Sequence, residues 1–316
     1  MPLENIKKNK DSPINTAIVA GSLCLVCALV VSTAASALKT IQDENVRVDR
    51  MKNLLAVTQF PEETMASSEM IKKTFADNFD RVIIDMATGE PAADACLEAM
   101  KAIGKKWKDT DELIESYDQF LASKTKRDEV ALKIEGEDPA VIKYREKYSY
   151  VYILKDEDGN PKNYVLPIRG YGLWSMMHGY LAIKPDFQTI EGLVFYDQAE
   201  TPGLGGEVKS ERFKKQWSGK QIYGDAGEVC IQVVKNADTS DKHCIDALSG
   251  ATITSNGVTN AMNYWLGPEG FKPFIDRMKG EAAPAESKPA ASLENSSTVD
   301  VIINRADDTS KGVQNG

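Results

Sequence analysis

Histidine is nearly missing from this 316-residue chain, which holds only His178 and His243. That removes the basis for a His-rich metal site and leaves little material for a Ser-His-Asp triad. Cysteine is also scarce, and the five that occur form no C-x-x-C pair beyond the N-terminal segment, which counts against an iron–sulfur cluster held by this chain alone. There is no basic cluster, and the net charge is -9. An acidic chain of this kind is a poor partner for nucleic acid. No G-x-G-x-x-G follows a strand and opens a helix, so the chain has no fingerprint for NADH. No internal repeat is visible.

One further absence is informative. From Ser12 to Leu38 there is no charged residue, and Ile18 to Val31 reads IVAGSLCLVCALVV. Crossing about 30 Å of hydrocarbon takes about 20 helical residues, so 13–38 is predicted to be a transmembrane helix behind a cytoplasmic 1–12. A cleaved signal peptide is the rival, because Ala35-Ser36-Ala37 has the A-x-A form. Against it, the uncharged run outlasts a usual signal core. A lipoprotein signal needs a small residue before its cysteine, whereas Cys24 and Cys27 follow Leu23 and Val26. Within the run they read as small lipid- or helix-facing residues. Lys7, Lys8 and Lys10 precede it, and Lys39, Arg47, Arg50 and Lys52 follow, so the basic residues alone do not set its orientation.

What remains is a globular chain of mixed pattern. Ile41, Val48, Met51 and Leu55 share one face of a helical neck over 39–57, which Gln59-Phe60-Pro61 ends. Helices are predicted at 62–79, 92–103 and 109–122, with a short strand at 82–84 and a charged connector at 125–137. From residue 145 the pattern turns to strands. Residues 148–154 and 163–168 flank the turn Asp156-Glu157-Asp158-Gly159-Asn160 as a hairpin. Further strands are expected at 181–183, 192–196 and 229–234, and helices at 210–217, 255–266 and 271–279. The fold class is α+β, with an N-terminal transmembrane helix before a soluble mixed domain. The segments are 39–144, neck and α-rich region; 145–280, the mixed domain; and 281–316, an Ala/Pro/Glu/Ser-rich tail expected to be disordered. Cys230 and Cys244 are candidates for a disulfide in an oxidising compartment.

The chemistry-bearing segment is Asp246-Ala247-Leu248-Ser249-Gly250-Ala251-Thr252-Ile253-Thr254-Ser255-Asn256-Gly257-Val258. Small and hydroxylated residues crowd before an amphipathic helix whose Val258, Met262 and Trp265 share a face. Ser255 is the expected N-cap. A helix N-terminus offers free N–H groups and partial positive charge, which suits a phosphate. On these residues alone two readings stand: a capped helix after a polar turn, and an anion site with Thr254 beside it.

Ser249-Gly250-Ala251-Thr252-Ile253-Thr254 resembles the S/T-G-A-T-x-S/T flavinylation motif of the FMN-binding domain family. Pro167-Ile168-Arg169-Gly170-Tyr171-Gly172-Leu173-Trp174-Ser175-Met176-Met177, Glu200-Thr201-Pro202-Gly203-Leu204-Gly205-Gly206-Glu207, 84–90 and 265–271 widen the likeness. Over about residues 13 to 280 the chain resembles the family of C subunits of the sodium-translocating NADH:quinone reductases. The related G subunits of Rnf electron-transport complexes share the motif and a version of the glycine loop, but the G-L-W-S-M-M run and second glycine of G-L-G-G favour the reductase.

The resemblance implies one covalent FMN per chain, bonded through its phosphate to Thr254, with Ser249, Gly250, Ala251 and Thr252 forming the motif around it. Leu173, Trp174, Glu200, Thr201 and Leu204 are implied flavin contacts. Trp174 reads as a shield for the ring or as a core tryptophan. Gly170 and Gly172 would let backbone approach a flat ring. No catalytic residue and no metal are implied. The implied setting is a six-subunit inner-membrane complex that couples NADH oxidation and ubiquinone reduction to sodium export. The domain would then lie on the periplasmic side, matured by a flavin transferase, with no NADH oxidation by the isolated chain. An FMN-bearing membrane sensor or assembly protein, and a purely structural anchor, are the readings from other classes.

Overall fold

The computed structural model describes residues 12–282 apart from residue 239; the predicted tail therefore lies almost wholly outside the described residues. The first helix, α1 (Pro13–Val57), opens with proline in its first turn, where no N–H is needed. It runs unbroken for 45 residues, about 68 Å at 1.5 Å per residue. Its apolar window has a mean hydropathy of 2.3, with none of it buried. It is the one helix among the described residues long and apolar enough to cross a membrane. The neck is the same helix continued, and its last turn buries Leu54, Leu55 and Val57. The Thr58 hydroxyl closes the end by donating to the carbonyls of Leu54 and Leu55.

The predicted helix at 62–79 divides. A 3-10 turn (Glu62–Met65) precedes α2 (Ser68–Asn78), because the Ser67 hydroxyl accepts from Met70 N–H and starts a new helix. The last residue of the prediction, Phe79, belongs to β1 (Phe79–Asp85). Then follow α3 (Ala93–Ala102), α4 (Thr110–Ser116) and α5 (Gln119–Lys124), the last two capped by Asp109 and Asp118. The predicted connector contains β2 (Ala131–Lys133), paired with β3 (Tyr144–Glu146).

The main sheet adds β4 (Tyr148–Lys155), β5 (Pro161–Tyr171), β6 (Met176–Ile183) and β7 (Ile190–Asp197). Its five strands run in the order β1-β4-β5-β6-β7, every neighbour antiparallel. Alternate residues go to opposite faces. Val165, Tyr180 and Ala182 pack with the end of α1 and with α2. Leu166, Leu181 and Ile183 pack with the C-terminal helices on the other face.

A 3-10 turn (Gly205–Lys209) and α6 (Glu211–Lys215) follow β7. The predicted strand at 229–234 shortens to β8 (Gln232–Val234), which pairs in parallel with β9 (Cys244–Asp246). Gln232 faces Cys244 in that register. Cys230 lies two residues before β8, where its own N–H and that of Ile231 both donate to the Ile222 carbonyl, so it is outside the ladder that holds Cys244. Both thiols are free, so the disulfide expected from the sequence is not formed.

Helices α7 (Thr252–Trp265) and α8 (Lys272–Ala282) complete the described chain. Helix α7 lies directly on β5. A Cβ at Gly170 would stand 2.7 Å from the Ala261 Cβ, and one at Gly257 would fall on the Tyr171 carbonyl. A buried ion pair locks the far end. Arg169 meets Glu146 at 2.6 Å, both side chains no more than 4% exposed. Its guanidinium lies 5.1 Å from the ring centres of both Phe120 and Trp265, and Trp265 Nε1 donates to its carbonyl.

Candidate functional site

Three loops meet at the N-terminal end of α7: the β5–β6 tip (172–175), the segment after β7 (198–206), and the turn 247–251. Their meeting point is Glu200, only 5% exposed. One carboxylate oxygen accepts from Trp174 N–H at 2.9 Å and Ser175 N–H at 3.0 Å; the other accepts from Leu173 N–H at 3.0 Å. That second oxygen also accepts from the Thr254 hydroxyl at 2.7 Å. Burial would raise this carboxyl, but hydrogen bonds from Thr254 and from the amides of Trp174, Leu173 and Ser175 outweigh it and hold it below its ordinary value.

Glycine makes this convergence possible. A Cβ at Gly172 would meet the Glu200 carboxylate at 2.6 Å. One at Gly205 would meet Thr254 Oγ1 at 2.5 Å and Glu200 Oε2 at 2.8 Å. Gly250 has φ +71°, the left-handed region that glycine enters without cost. Gly170 and Gly172, expected to admit a flat ring, also make room for the chain itself: Gly170 for α7, Gly172 for Glu200.

The helix begins earlier than expected. Ala251 is the N-cap residue and no side chain caps this end. Ser255, expected there, is inside the helix and buried, and its hydroxyl accepts from Leu248 N–H. The first intrahelical N–H is that of Ser255, to the Ala251 carbonyl. The N–H groups of Thr252, Ile253 and Thr254 precede it, which is the donor set an anion uses.

Around this point lies an apolar rim. Trp174 is 65% exposed, Ile253 57%, Leu204 44%, Leu173 42% and Tyr171 41%. Trp174 is therefore no core tryptophan. Thr254, by contrast, is 1% exposed, sealed beneath Gly205 and Glu200. The structure thus brings Leu173, Glu200, Leu204, Gly250 and Thr254 together. Ser249, Thr252 and Thr201 lie at the edge, and Ala251 is buried at the helix start. The Thr201 carbonyl accepts from Leu204 and Gly206 N–H, which shapes the glycine loop. Three contributors lay within the quoted motifs but were not singled out as contacts. Ser175 donates its hydroxyl to Glu200 and accepts from Ala199 N–H. Ile253 and Tyr171 extend the rim; Ile253 was legible as the variable position between two hydroxyl residues of the motif.

The arrangement fits a flavin mononucleotide. Exposed apolar side chains suit a flat ring, an uncapped helix N-terminus suits a phosphate, and a hydroxyl lies within the first turn. For a phosphate to reach Thr254 Oγ1, the 201–206 loop has to shift outward.

The family model described as FMN-binding domain matches residues 172–267, a stretch that contains all three loops and α7. The chain is similar to the C subunit of the Na(+)-translocating NADH-quinone reductase of Pasteurella multocida, 38% identical over 273 residues, covering 86% of this chain and 96% of that one. It is similar to the corresponding protein of Haemophilus ducreyi, 37% identical over 276 residues, covering 87% and 98%. Among solved structures it resembles Shewanella oneidensis NqrC, with TM-score 0.63 and 31% identity, over 73% of this chain and 96% of that one.

Proposed function

The chain belongs to the family of C subunits of the Na(+)-translocating NADH-quinone reductases, and from that premise we propose that it is the electron-transfer subunit of such a complex, carrying one FMN esterified to Thr254. The observation that carries the reading is the Thr254 hydroxyl, in the first turn of an uncapped helix and under a rim of exposed apolar side chains. Thr254 Oγ1 supplies the ester oxygen. The N–H groups of Thr252 and Ile253 receive the phosphate charge, with Ser249, Gly250 and Ala251 shaping the turn. Trp174, Leu173 and Leu204 cover the ring and exclude water from it. Glu200 and Thr201 hold the loops that carry those side chains. When bound, FMN supplies the redox chemistry, passing electrons one at a time.

Residues 1–12 face the cytoplasm, 13–38 cross the inner membrane, 39–144 form the neck and α-rich region, and 145–280 hold the cofactor on the periplasmic side. There a covalent bond retains a flavin that could not be readily replaced. The remaining members of a six-subunit assembly provide NADH oxidation, ubiquinone reduction and sodium export; a flavin transferase attaches the FMN. The test is intact mass with in-gel fluorescence of the full chain co-expressed with such a transferase. The parent and Thr252→Val should carry one FMN mass, with reduced loading acceptable in the latter, and Thr254→Val should fold and carry none. A Thr254→Val chain that still gains the mass refutes the assignment.

A further inference from the structure

We infer that Glu200 is the group that takes the proton from Thr254 as the flavin ester forms, an inference that rests on the attachment site proposed above. Six other threonines among the described residues, in helices or at a helix end, turn their hydroxyls back on the preceding turn. Thr16 donates to the Ser12 carbonyl, Thr33 to Leu29, Thr58 to Leu54, Thr64 to Pro61, Thr125 to Ala122 and Thr259 to Ser255, the usual local bond of a helical threonine. Thr254 departs from this and aims across 54 positions of sequence at a carboxylate oxygen 2.7 Å away. That distance is within the reach required of a general base before any substrate arrives.

Glu200 is built for the role. Its carboxylate cannot wander, because the amides of Leu173, Trp174 and Ser175 and the Ser175 hydroxyl hold it. Against burial, the Thr254 hydroxyl first, and then the amides of Trp174, Leu173 and Ser175, hold its carboxyl below the ordinary value, so it stands as a carboxylate able to accept a proton. The chain's imidazoles are elsewhere: His243 Nε2 lies by the Tyr223 carbonyl, and the His178 ring packs on Phe120. A structural tether alone would not need Thr254, since the 172–175 loop is already held by the other bonds to Glu200.

The chemistry balances without an oxidant or reductant. The donor is an FMN unit activated as a phosphoanhydride and presented by the transferase. Thr254 Oγ1 attacks its phosphorus, and the Oγ1–P bond forms as the anhydride P–O bond breaks. The electron pair of that bond leaves on the departing nucleoside phosphate, and the Thr254 proton passes to Glu200 Oε2. A carboxylate that accepts a hydroxyl proton during phosphoryl transfer has a precedent in the catalytic-loop aspartate of protein kinases.

The experiment measures the rate of FMN mass gain for the full chain with purified transferase and saturating donor, with the melting temperature of each variant recorded alongside. Glu200→Gln should load about 10²- to 10⁴-fold more slowly than the parent, the range lost with a general base. Glu200→Ala should be equally slow, and added formate, acetate or fluoroacetate should restore loading, with rates rising with the pKa of the added acid. A refolded loop would respond to any carboxylate alike, so this ranking separates proton transfer from support, even if Glu200→Gln folds poorly. Glu200→Gln loading within about threefold of the parent, or rescue that ignores acid strength, overturns the inference while leaving the attachment site standing. A parent that gains no FMN mass, or a Thr254→Val chain that does, overturns the site reading instead.

Discussion

Substitution of Gly170 by alanine tests whether the seat of α7 on β5 sets the geometry of the site. The new methyl would stand 2.7 Å from the Ala261 Cβ and 3.3 Å from the Gly257 carbonyl oxygen. Carbon atoms are comfortable at about 3.5–4.0 Å, so α7 has to retreat by about 1 Å. Overpacking of this kind costs about 1–3 kcal/mol. Removing a glycine from a strand interior returns about 0.5–1 kcal/mol, and the net destabilisation expected is about 1 kcal/mol, within a span of about 0–2.5 kcal/mol. A rigid retreat of the helix stretches the Thr254–Glu200 contact from 2.7 Å by up to about 1 Å, toward the limit of an O–H···O bond. Stability in urea and FMN loading should therefore fall together. Ala261→Gly alone costs about 1 kcal/mol in helix propensity, but combined with Gly170→Ala it vacates the colliding methyl. The double variant should be more stable than the sum of the single effects. A Gly170→Ala chain as stable as the parent, or a strictly additive double variant, would refute the packing argument.

Gly205→Ala places a methyl 2.5 Å from Thr254 Oγ1; intact mass should show FMN loading reduced well below the parent, while a loading equal to the parent would mean the loop yields freely. Glu146→Gln leaves buried Arg169 without its charge partner and should cost about 3–5 kcal/mol in urea denaturation, whereas Glu98→Gln, which breaks the exposed pair with Lys101, should cost no more than about 1 kcal/mol. His178 is pushed down to about 4, mainly by burial and then by Arg169, with Lys124 and Arg50 adding to it and Asp197 opposing. Below pH 6.5 the unfolded chain binds this proton and the folded chain does not until about pH 4, so stability is lost as pH falls through that window. The loss is up to about 3 kcal/mol at about 1.36 kcal/mol per pH unit. His178→Phe should flatten the stability profile between pH 6.5 and 4 by that amount relative to the parent, and an unchanged slope would contradict it.

The parts of this fold legible in the sequence are those set by local pattern. The uncharged run gave the anchor, and alternation around Asp156–Asn160 gave the β4–β5 hairpin. The amphipathic stretch ending at Gly267-Pro268 gave α7. Its start was not legible: Ser255 has the residue type of an N-cap, but the helix begins at Thr252 behind Ala251, with no side chain capping it. Tertiary structure makes the choice: Ser255 turns its hydroxyl to Leu248 N–H and Thr254 turns to Glu200. That Cys230 falls outside the β8–β9 ladder is likewise set by strands only three residues long, too short to be bounded from the sequence. The partnership of residues 200 and 254 has no local signature at all. It exists because β7 ends where α7 begins.

That meeting point places two demands on one carboxylate. Before attachment Glu200 must be ionised, and its amide donors and the Thr254 hydroxyl keep it so. After attachment, on the proposed reading, Thr254 has no proton to donate and an anionic phosphodiester lies beside the same oxygen. Two negative charges at hydrogen-bond distance repel, which raises the pKa of the carboxyl. The proton delivered by Thr254 resolves the conflict, because a neutral Glu200 becomes a donor to the phosphate rather than its rival. The same transfer that makes the hydroxyl a nucleophile thus leaves one net charge, not two, at the N-terminus of α7, where a single anion is favoured by the helix dipole. The amides of Leu173, Trp174 and Ser175 would then hold a weaker acceptor. On that reading, attachment of the cofactor and a weaker hold on the Trp174 loop would both follow from one proton.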